Sequence, residues 1–255
     1  MSAAKGVQSK PVALVFGASG GIGTEISLRL SDKNYRLALV ARDREKLLRL
    51  QERISESQIY VCDLRSSASV NEVFGELVGD VGIPSVIAHC AGSILLKAAH
   101  QLRDEEWEET LRLNLSSAFY VLRQATALWV RESIPGSMVF CSSAAASIGM
   151  SNHEAISAAK AGLEGLVRSA AATYASKGIR INAVAPGLVQ TSLSSKITGS
   201  ETALKASLSM HPLKKIGKPG QVASAACWLL DPEQEWVTGQ VLGVDGGLSR
   251  LKTLA

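Results

Sequence analysis

Val12-Ala13-Leu14-Val15-Phe16, then Gly17-Ala18-Ser19-Gly20-Gly21-Ile22-Gly23, then a helical pattern through Leu30, decide the fold. A short apolar run that ends in clustered glycines reads as a buried strand entering a tight turn. A second apolar run, Leu37 to Val40, is closed by Ala41-Arg42-Asp43. Strand, turn, helix and strand within about thirty residues make a βαβ unit. Both runs are nearly continuously apolar rather than alternating, as expected of strands covered on both faces.

Outward from this unit the alternation continues. Arg44 to Ser55 reads as a helix, Gln58 to Cys62 as a strand, Ser69 to Val78 as a helix and Val86 to His89 as a strand. A long helical region, Trp107 to Glu132, precedes a strand at Ser137 to Cys141 and a helix at Ala158 to Ser176. Ile181 to Val184 is a strand, Val222 to Leu230 a helix and Val241 to Val244 the last strand. Seven strands separated by helices imply an α/β fold, a doubly wound Rossmann-type parallel sheet with helices on both faces. Residues 12–250 are expected to form one domain, with no linker or internal repeat. Residues 1–11 carry two lysines and no apolar core, which predicts a flexible arm rather than a secretion signal. From Leu188 to Gly220 the periodicity breaks, with one weak helical stretch at Glu201 to Met210. A loop of that size in a compact domain is expected to be a lid or substrate loop.

The chain has 255 residues, 46% of them hydrophobic and 20% charged, with a formal charge of 27 − 23 = +4. This composition excludes disorder, collagen and coiled coil, and the modest charge gives no reason to expect nucleic acid or membrane partners. Cys62, Cys90, Cys141 and Cys227 form no CxxC pair, and His89, His100, His153 and His211 form no HExxH, so no metal site is expected. No run reaches the roughly 18 to 20 apolar residues of a membrane span. A cytoplasmic location is the expectation.

The glycines at 17, 21 and 23 lie between a strand and a helix, the context in which such a cluster points to a nucleotide. Glycine lets backbone approach a pyrophosphate, and the helix N-terminus supplies free N–H groups. The bland reading is a tight turn with no ligand. Where an acidic residue at the end of the second strand would hold an adenosine ribose, this chain has Ala41 and Arg42. Arginine offers a planar fork for a 2′-phosphate, which favours NADP(H) over NAD(H), although Asp43 follows at once. Arg42 as a solvated surface residue is the other reading.

These residues resemble the short-chain dehydrogenases/reductases, in particular the 3-oxoacyl-carrier-protein reductase and carbonyl reductase type, from about Pro11 to Leu248. The resemblance implies that Gly17, Ser19, Gly21, Ile22 and Gly23 form the cofactor loop, and that Asp63 with Leu64 meets adenine. His89-Cys90-Ala91-Gly92 stands where the family usually has Asn-Asn-Ala-Gly, which places Ala91 and Gly92 at the cofactor. Asn114 resembles the asparagine of the family's proton relay, and Ser143 its catalytic serine. Pro186, Gly187 and Thr191 resemble the segment at the nicotinamide carboxamide, and Asp245-Gly246-Gly247 the C-terminal signature. A small-molecule or acyl-carrier carbonyl substrate is implied, as is a homo-oligomer, a tetramer, or a mixed oligomer with a homologue.

The catalytic signature departs from the family. Tyr-x-x-x-Lys is required thirteen residues beyond the serine; here Lys160 is in place, but position 156 is isoleucine. In the family the tyrosine gives the carbonyl oxygen its proton, its pKa lowered from about 10 by the lysine and the oxidised cofactor. Isoleucine has no proton to give. Tyr174 lies eighteen residues along the helical pattern, about 27 Å away at 1.5 Å per residue. His153, three residues before Ile156, is a candidate donor; the bland reading makes it a loop or interface histidine. Lys160 keeps the ribose-holding role and Ser143 a hydrogen bond to a carbonyl. Two functions stay open: an NADP(H)-dependent oxidoreductase with a replaced acid, or a nucleotide-binding subunit that is catalytically silent. The substrate is expected between Ser93–Leu96, Ala144–His153 and 188–215, where Leu95, Ile148, Met150, Leu193 and Met210 suit an acyl or cyclic ketone.

Overall fold

A computed structural model describes residues 10–252. Seven strands, β1 (Val12–Phe16), β2 (Arg36–Ala41), β3 (Ser57–Val61), β4 (Pro84–His89), β5 (Gly136–Cys141), β6 (Ile179–Pro186) and β7 (Val241–Val244), form one parallel sheet in the order β3-β2-β1-β4-β5-β6-β7. The order reverses between β1 and β4, and the crevice beyond the strand ends at such a switch is where open α/β sheets bind ligands. Helices α1 (Gly21–Asp32), α2 (Arg44–Gln51), α3 (Ser67–Asp80), α4 (Asp104–Leu111), α5 (Ser117–Glu132) and α6 (Glu154–Tyr174) are followed by α7 (Ser195–Thr198), α8 (Glu201–Met210) and α9 (Pro219–Leu230).

The continuous apolar strands fill two cores. Leu14 and Phe16 of β1 pack with Val70, Val121, Trp129 and Leu163 on one face, while Ala13 and Val15 pack with Ile26, Leu47, Val222 and Leu229 on the other. Trp129 is fully buried and its indole donates to the Pro84 carbonyl at 2.7 Å. Glycine at 136 makes this possible, because a Cβ there would lie 2.4 Å from the indole ring.

Several element bounds differ from those read in the sequence. The second helix stops at Gln51 rather than Ser55, and the chain bends at Ile54 to bury that side chain. The helix at 158–176 instead runs from Glu154 to Tyr174, since its first turn is carried by Ala155 and Ile156, both buried. Pro219 opens α9, the position that proline's missing N–H favours, so the loop from 188 ends two residues before 220. It holds two helices, not one. The 107–132 region begins at Asp104 and is interrupted by a wider π-turn at Arg112–Ser116. The arm expected at residues 1–11 lies mostly outside the described residues; Pro11 is tied to β2 through its carbonyl, which accepts from Arg36 N at 2.9 Å.

The π-turn redirects hydrogen bonds toward the sheet. Ser117 N reaches back to Arg112, so the Leu113 carbonyl takes the Ser117 hydroxyl instead, at 2.6 Å. With its hydrogen used, Ser117 Oγ accepts from His89 Nε2 at 3.1 Å. His89 Nδ1 then has no partner, in a ring 1% exposed between Phe16 and Phe140. Burial, with the Lys160 charge nearby, pushes the His89 pKa down to about 3.

The unfolded chain binds a proton at this residue near pH 6.5, whereas the folded chain does so only near 3. The contribution to stability is therefore complete above about pH 7 and is lost as pH falls between those values, by up to about 1.4 kcal/mol per unit. Denaturant unfolding from about pH 7 to about pH 5 is expected to show this decline, and His89→Asn to flatten it. The same slope in both proteins would refute the assignment.

Candidate active site

A cleft of about 260 Å³ opens at the C-terminal ends of β1, β2 and β4. Its floor is the 17–23 loop. Gly17 has φ +75°, and a Cβ on it would lie 2.8 Å from Ala91 N. A Cβ on Gly23 would lie 2.2 Å from the Gly17 carbonyl oxygen. Both positions exclude side chains, so two backbone segments meet beneath the cleft. Gly20 precedes α1 and no side chain caps the helix. Its first-turn N–H groups therefore face the cleft with the positive end of the helix dipole, a cradle for an anion.

At the end of β2 the cleft wall carries Arg42 and Lys46, both exposed. Asp43 sits between them but caps α2, accepting from Lys46 N at 3.1 Å while the Lys46 ammonium lies 3.1 Å from its other oxygen. These bonds hold its pKa below the usual carboxylate range. The carboxylate that seemed to oppose a phosphate in the sequence is thus engaged by the helix and its lysine. Leu64 and Cys62 also line this end. Asp63 does not: its carboxylate is gripped by Arg65, with Nε and NH2 at 2.9 and 2.7 Å.

On the other side, Gly92 lies between two predicted site residues. A Cβ there would be 2.8 Å from Asn114 Oδ1 and 3.5 Å from Lys160 Nζ. Asn114, fully buried in the π-turn, donates to Thr110 O and Ser93 Oγ at 3.0 and 2.9 Å and accepts from Ser93 N. Lys160 is 6% exposed and donates to the Cys141 carbonyl at 2.7 Å. Desolvation lowers its pKa. Ser143 follows β5, its hydroxyl accepting from Ala145 N at 3.2 Å. Ile156 is buried one turn before Lys160. His153 is the N-cap residue of α6, with Nδ1 2.7 Å from the Ser151 carbonyl, and it does not line the cleft.

Thr191 closes the cleft from above. A Cβ on Gly21 would lie 2.9 Å from its methyl group, and Ser192 and Leu193 continue the wall. Pro186 and Gly187 stand behind this wall, with Gly187 N donating to Val244 O at 3.2 Å. Sequence reasoning missed Lys46, Cys62, Leu113 and Ser192 as lining residues. Lys46 alone had a signal, since Asp43-x-x-Lys46 is the spacing of a helix cap and its third residue. Among the described residues no group of three or more His, Cys, Asp or Glu is placed to hold a metal, and no helix is long and apolar enough to cross a membrane.

Known proteins share this architecture along nearly the whole chain. A family model described as enoyl-(acyl carrier protein) reductase matches residues 17–249. The chain is 30% identical to the glucose 1-dehydrogenase of Gluconobacter oxydans over 241 residues, 92% of this chain and 91% of that protein. It is 30% identical to the 3-oxoacyl-[acyl-carrier-protein] reductase of Thermotoga maritima over 244 residues, 93% and 97% of the two chains. Among solved structures, a variant of actinorhodin polyketide ketoreductase with NADPH superposes with a TM-score of 0.90 at 28% identity, covering 95% and 98% of the chains. ElxO with NADP bound gives 0.87 at 27% identity, covering 94% and 98%. Matches of this length and identity to such proteins are a family inheritance: the chain belongs to the short-chain dehydrogenases/reductases.

Proposed function

We propose that the chain is an NADP(H)-dependent oxidoreductase of a carbonyl or alcohol substrate, with residues 12–250 acting as one unit and 188–220 as its substrate loop. The observation that carries the reading is the uncapped N-terminus of α1 beneath a backbone-tight glycine loop, with Arg42 and Lys46 beside it. A dinucleotide fits this cradle: Gly17, Ser19, Gly21, Ile22 and Gly23 would hold its pyrophosphate, Leu64 its adenine, with Asp63 held back by Arg65, and Ala91, Gly92 and Thr191 the nicotinamide half, backed by Pro186 and Gly187. When bound, NADPH supplies the hydride.

The protein's own part is positioning and proton delivery. Lys160 would hold the nicotinamide ribose after leaving the Cys141 carbonyl. Ser143 would donate its hydrogen to the substrate oxygen, and Asn114 would anchor the relay through the π-turn. Ile156 stands where the family's acid would be, so the proton must come from elsewhere. His153 has a specific claim. The bond to Ser151 O fixes Nδ1–H and leaves Nε2 free, and His153 stands at the N-cap of α6, just before the turn that carries Ile156. A silent subunit is the second reading, favoured by the Lys160 ammonium being turned onto a main-chain carbonyl.

Exposed Leu193 in the cleft wall, with exposed Leu96 and Met210, supports an acyl or cyclic ketone, free or on a carrier. The outer face of α6 exposes Ala161 and Gly162, with open space beside Gly165, and α5 exposes Phe119. These surfaces support a tetramer, or a mixed oligomer with a homologue. The four unpaired cysteines suit the reducing cytoplasm.

NADPH is expected to bind more tightly than NADH in calorimetric titration, and Arg42→Ala and Lys46→Ala each to weaken NADPH by roughly 1 to 3 kcal/mol with little change for NADH. Equal affinities in the unmodified protein would overturn the cofactor assignment. A matched ketone-reduction assay separates the two functions. A silent protein should gain about 10²- to 10⁴-fold from Ile156→Tyr, provided the larger ring is accommodated and NADPH still binds. If His153 is the acid, unmodified protein turns over its substrate and His153→Ala abolishes most of that rate. Fast turnover indifferent to His153→Ala would defeat both the silent reading and the assignment of His153 as the acid.

A further inference from the structure

The wall that closes the cleft is pinned from behind by a histidine that the dinucleotide reading does not use. His211 follows α8 and is 2% exposed. Its Nδ1 lies 2.6 Å from the Ser207 carbonyl oxygen and its Nε2 3.2 Å from the Leu188 backbone nitrogen. A carbonyl only accepts and a backbone N–H only donates, so the tautomer is fixed: Nδ1 carries the hydrogen and Nε2 offers its lone pair. One neutral ring therefore joins α8 to the start of the substrate loop. From Leu188 the chain passes Val189, which pairs with Gly217, and reaches Thr191 against Gly21 and Ser192 and Leu193 in the cleft. The fit leaves no slack, since a Cβ on Gly187 would lie 2.6 Å from His211 Nε2.

The charged groups facing this ring are few. Asp245, 8% exposed in the turn after β7, accepts from Gly247 N and Ser249 N, each at 2.9 Å. Lys215 lines the same cavity of about 320 Å³ as His211 and Asp245. Lys214 donates its ammonium to Ser209 O and its backbone N–H to the His211 carbonyl.

We propose that His211 is a positioning residue for the dinucleotide: neutral, it holds Leu188 to Leu193 against the glycine loop, and protonated, it lets that segment go. A second N–H at Nε2 removes the acceptor that Leu188 uses and sets two donors against each other. Asp245 is the anion beside it and draws the new N–H away from Leu188. Acid thus loosens the cofactor wall while the sheet stays folded. The inference rests on the cleft being a dinucleotide site.

The test pairs nitrogen NMR of labelled histidine with NADPH titrations of unmodified protein, His211→Gln and His211→Leu between about pH 7.5 and about pH 5.5. Glutamine can present an oxygen to Leu188 N–H but does not titrate, and leucine presents no acceptor. Comparison with the glutamine variant cancels the ionisation of the coenzyme's own phosphate. Expected are the Nδ1–H tautomer at the higher pH, an acid loss of affinity about tenfold greater in unmodified protein than in His211→Gln, and weak binding by His211→Leu throughout. An Nε2–H tautomer, or parallel pH curves for unmodified protein and His211→Gln, would overturn the proposal. Failure of every protein to bind NADPH or NADH at the higher pH would instead strike the cleft reading, while the tautomer would still judge the latch.

Discussion

At the end of β1 two stretches of main chain lie closer than any side chain permits. Gly17 meets the backbone of Cys90 and Ala91, and Gly23 meets the carbonyl of Gly17. This contact sets the pitch of α1 against the sheet and brings β4 alongside β1 at the topological switch. The N-cap of α1 is Gly20, which has no side chain to offer, and no other side chain caps the first N–H groups of the helix. The glycine loop, the 91–92 turn and the Thr191 wall are all arranged around this contact.

The Gly92 side of the site depends on a second constraint, the π-turn in front of α5. Its wide turn frees carbonyls that Ser117 and the side chain of Asn114 then occupy, and Asn114 reaches over Gly92 to Ser93. Lys160 arrives from the opposite side, on α6. With isoleucine one turn before it, the lysine has no phenol to face and bonds the Cys141 carbonyl instead. Desolvation weakens its hold on the proton, and one main-chain carbonyl compensates only in part.

The layered fold was legible because a strand buried on both faces has few sequence alternatives. β1 contributes alternate residues to two cores and so reads as an unbroken apolar run. The glycine loop was legible because close backbone approach excludes every other residue type. The π-turn was not, because Arg112 to Ser116 carries the same apolar spacing as ordinary helix and differs only in where its hydrogen bonds go. Lys46 and His211 escaped for a related reason: their partners are Asp43, an ordinary cap residue, and backbone groups of Leu188 and Ser207. Asp43 itself misled, since its charge was visible in the sequence but its engagement by α2 was not.

A crystal structure grown with NADPH tests the central claim most directly, because it locates every part of the cofactor against residues already fixed in place. The pyrophosphate is expected on the first-turn N–H groups of α1, the 2′-phosphate between Arg42 and Lys46, and Lys160 Nζ turned from Cys141 O to the nicotinamide ribose. NADPH bound anywhere else, or Lys160 still on the Cys141 carbonyl with the nicotinamide half excluded from Gly92, would contradict it.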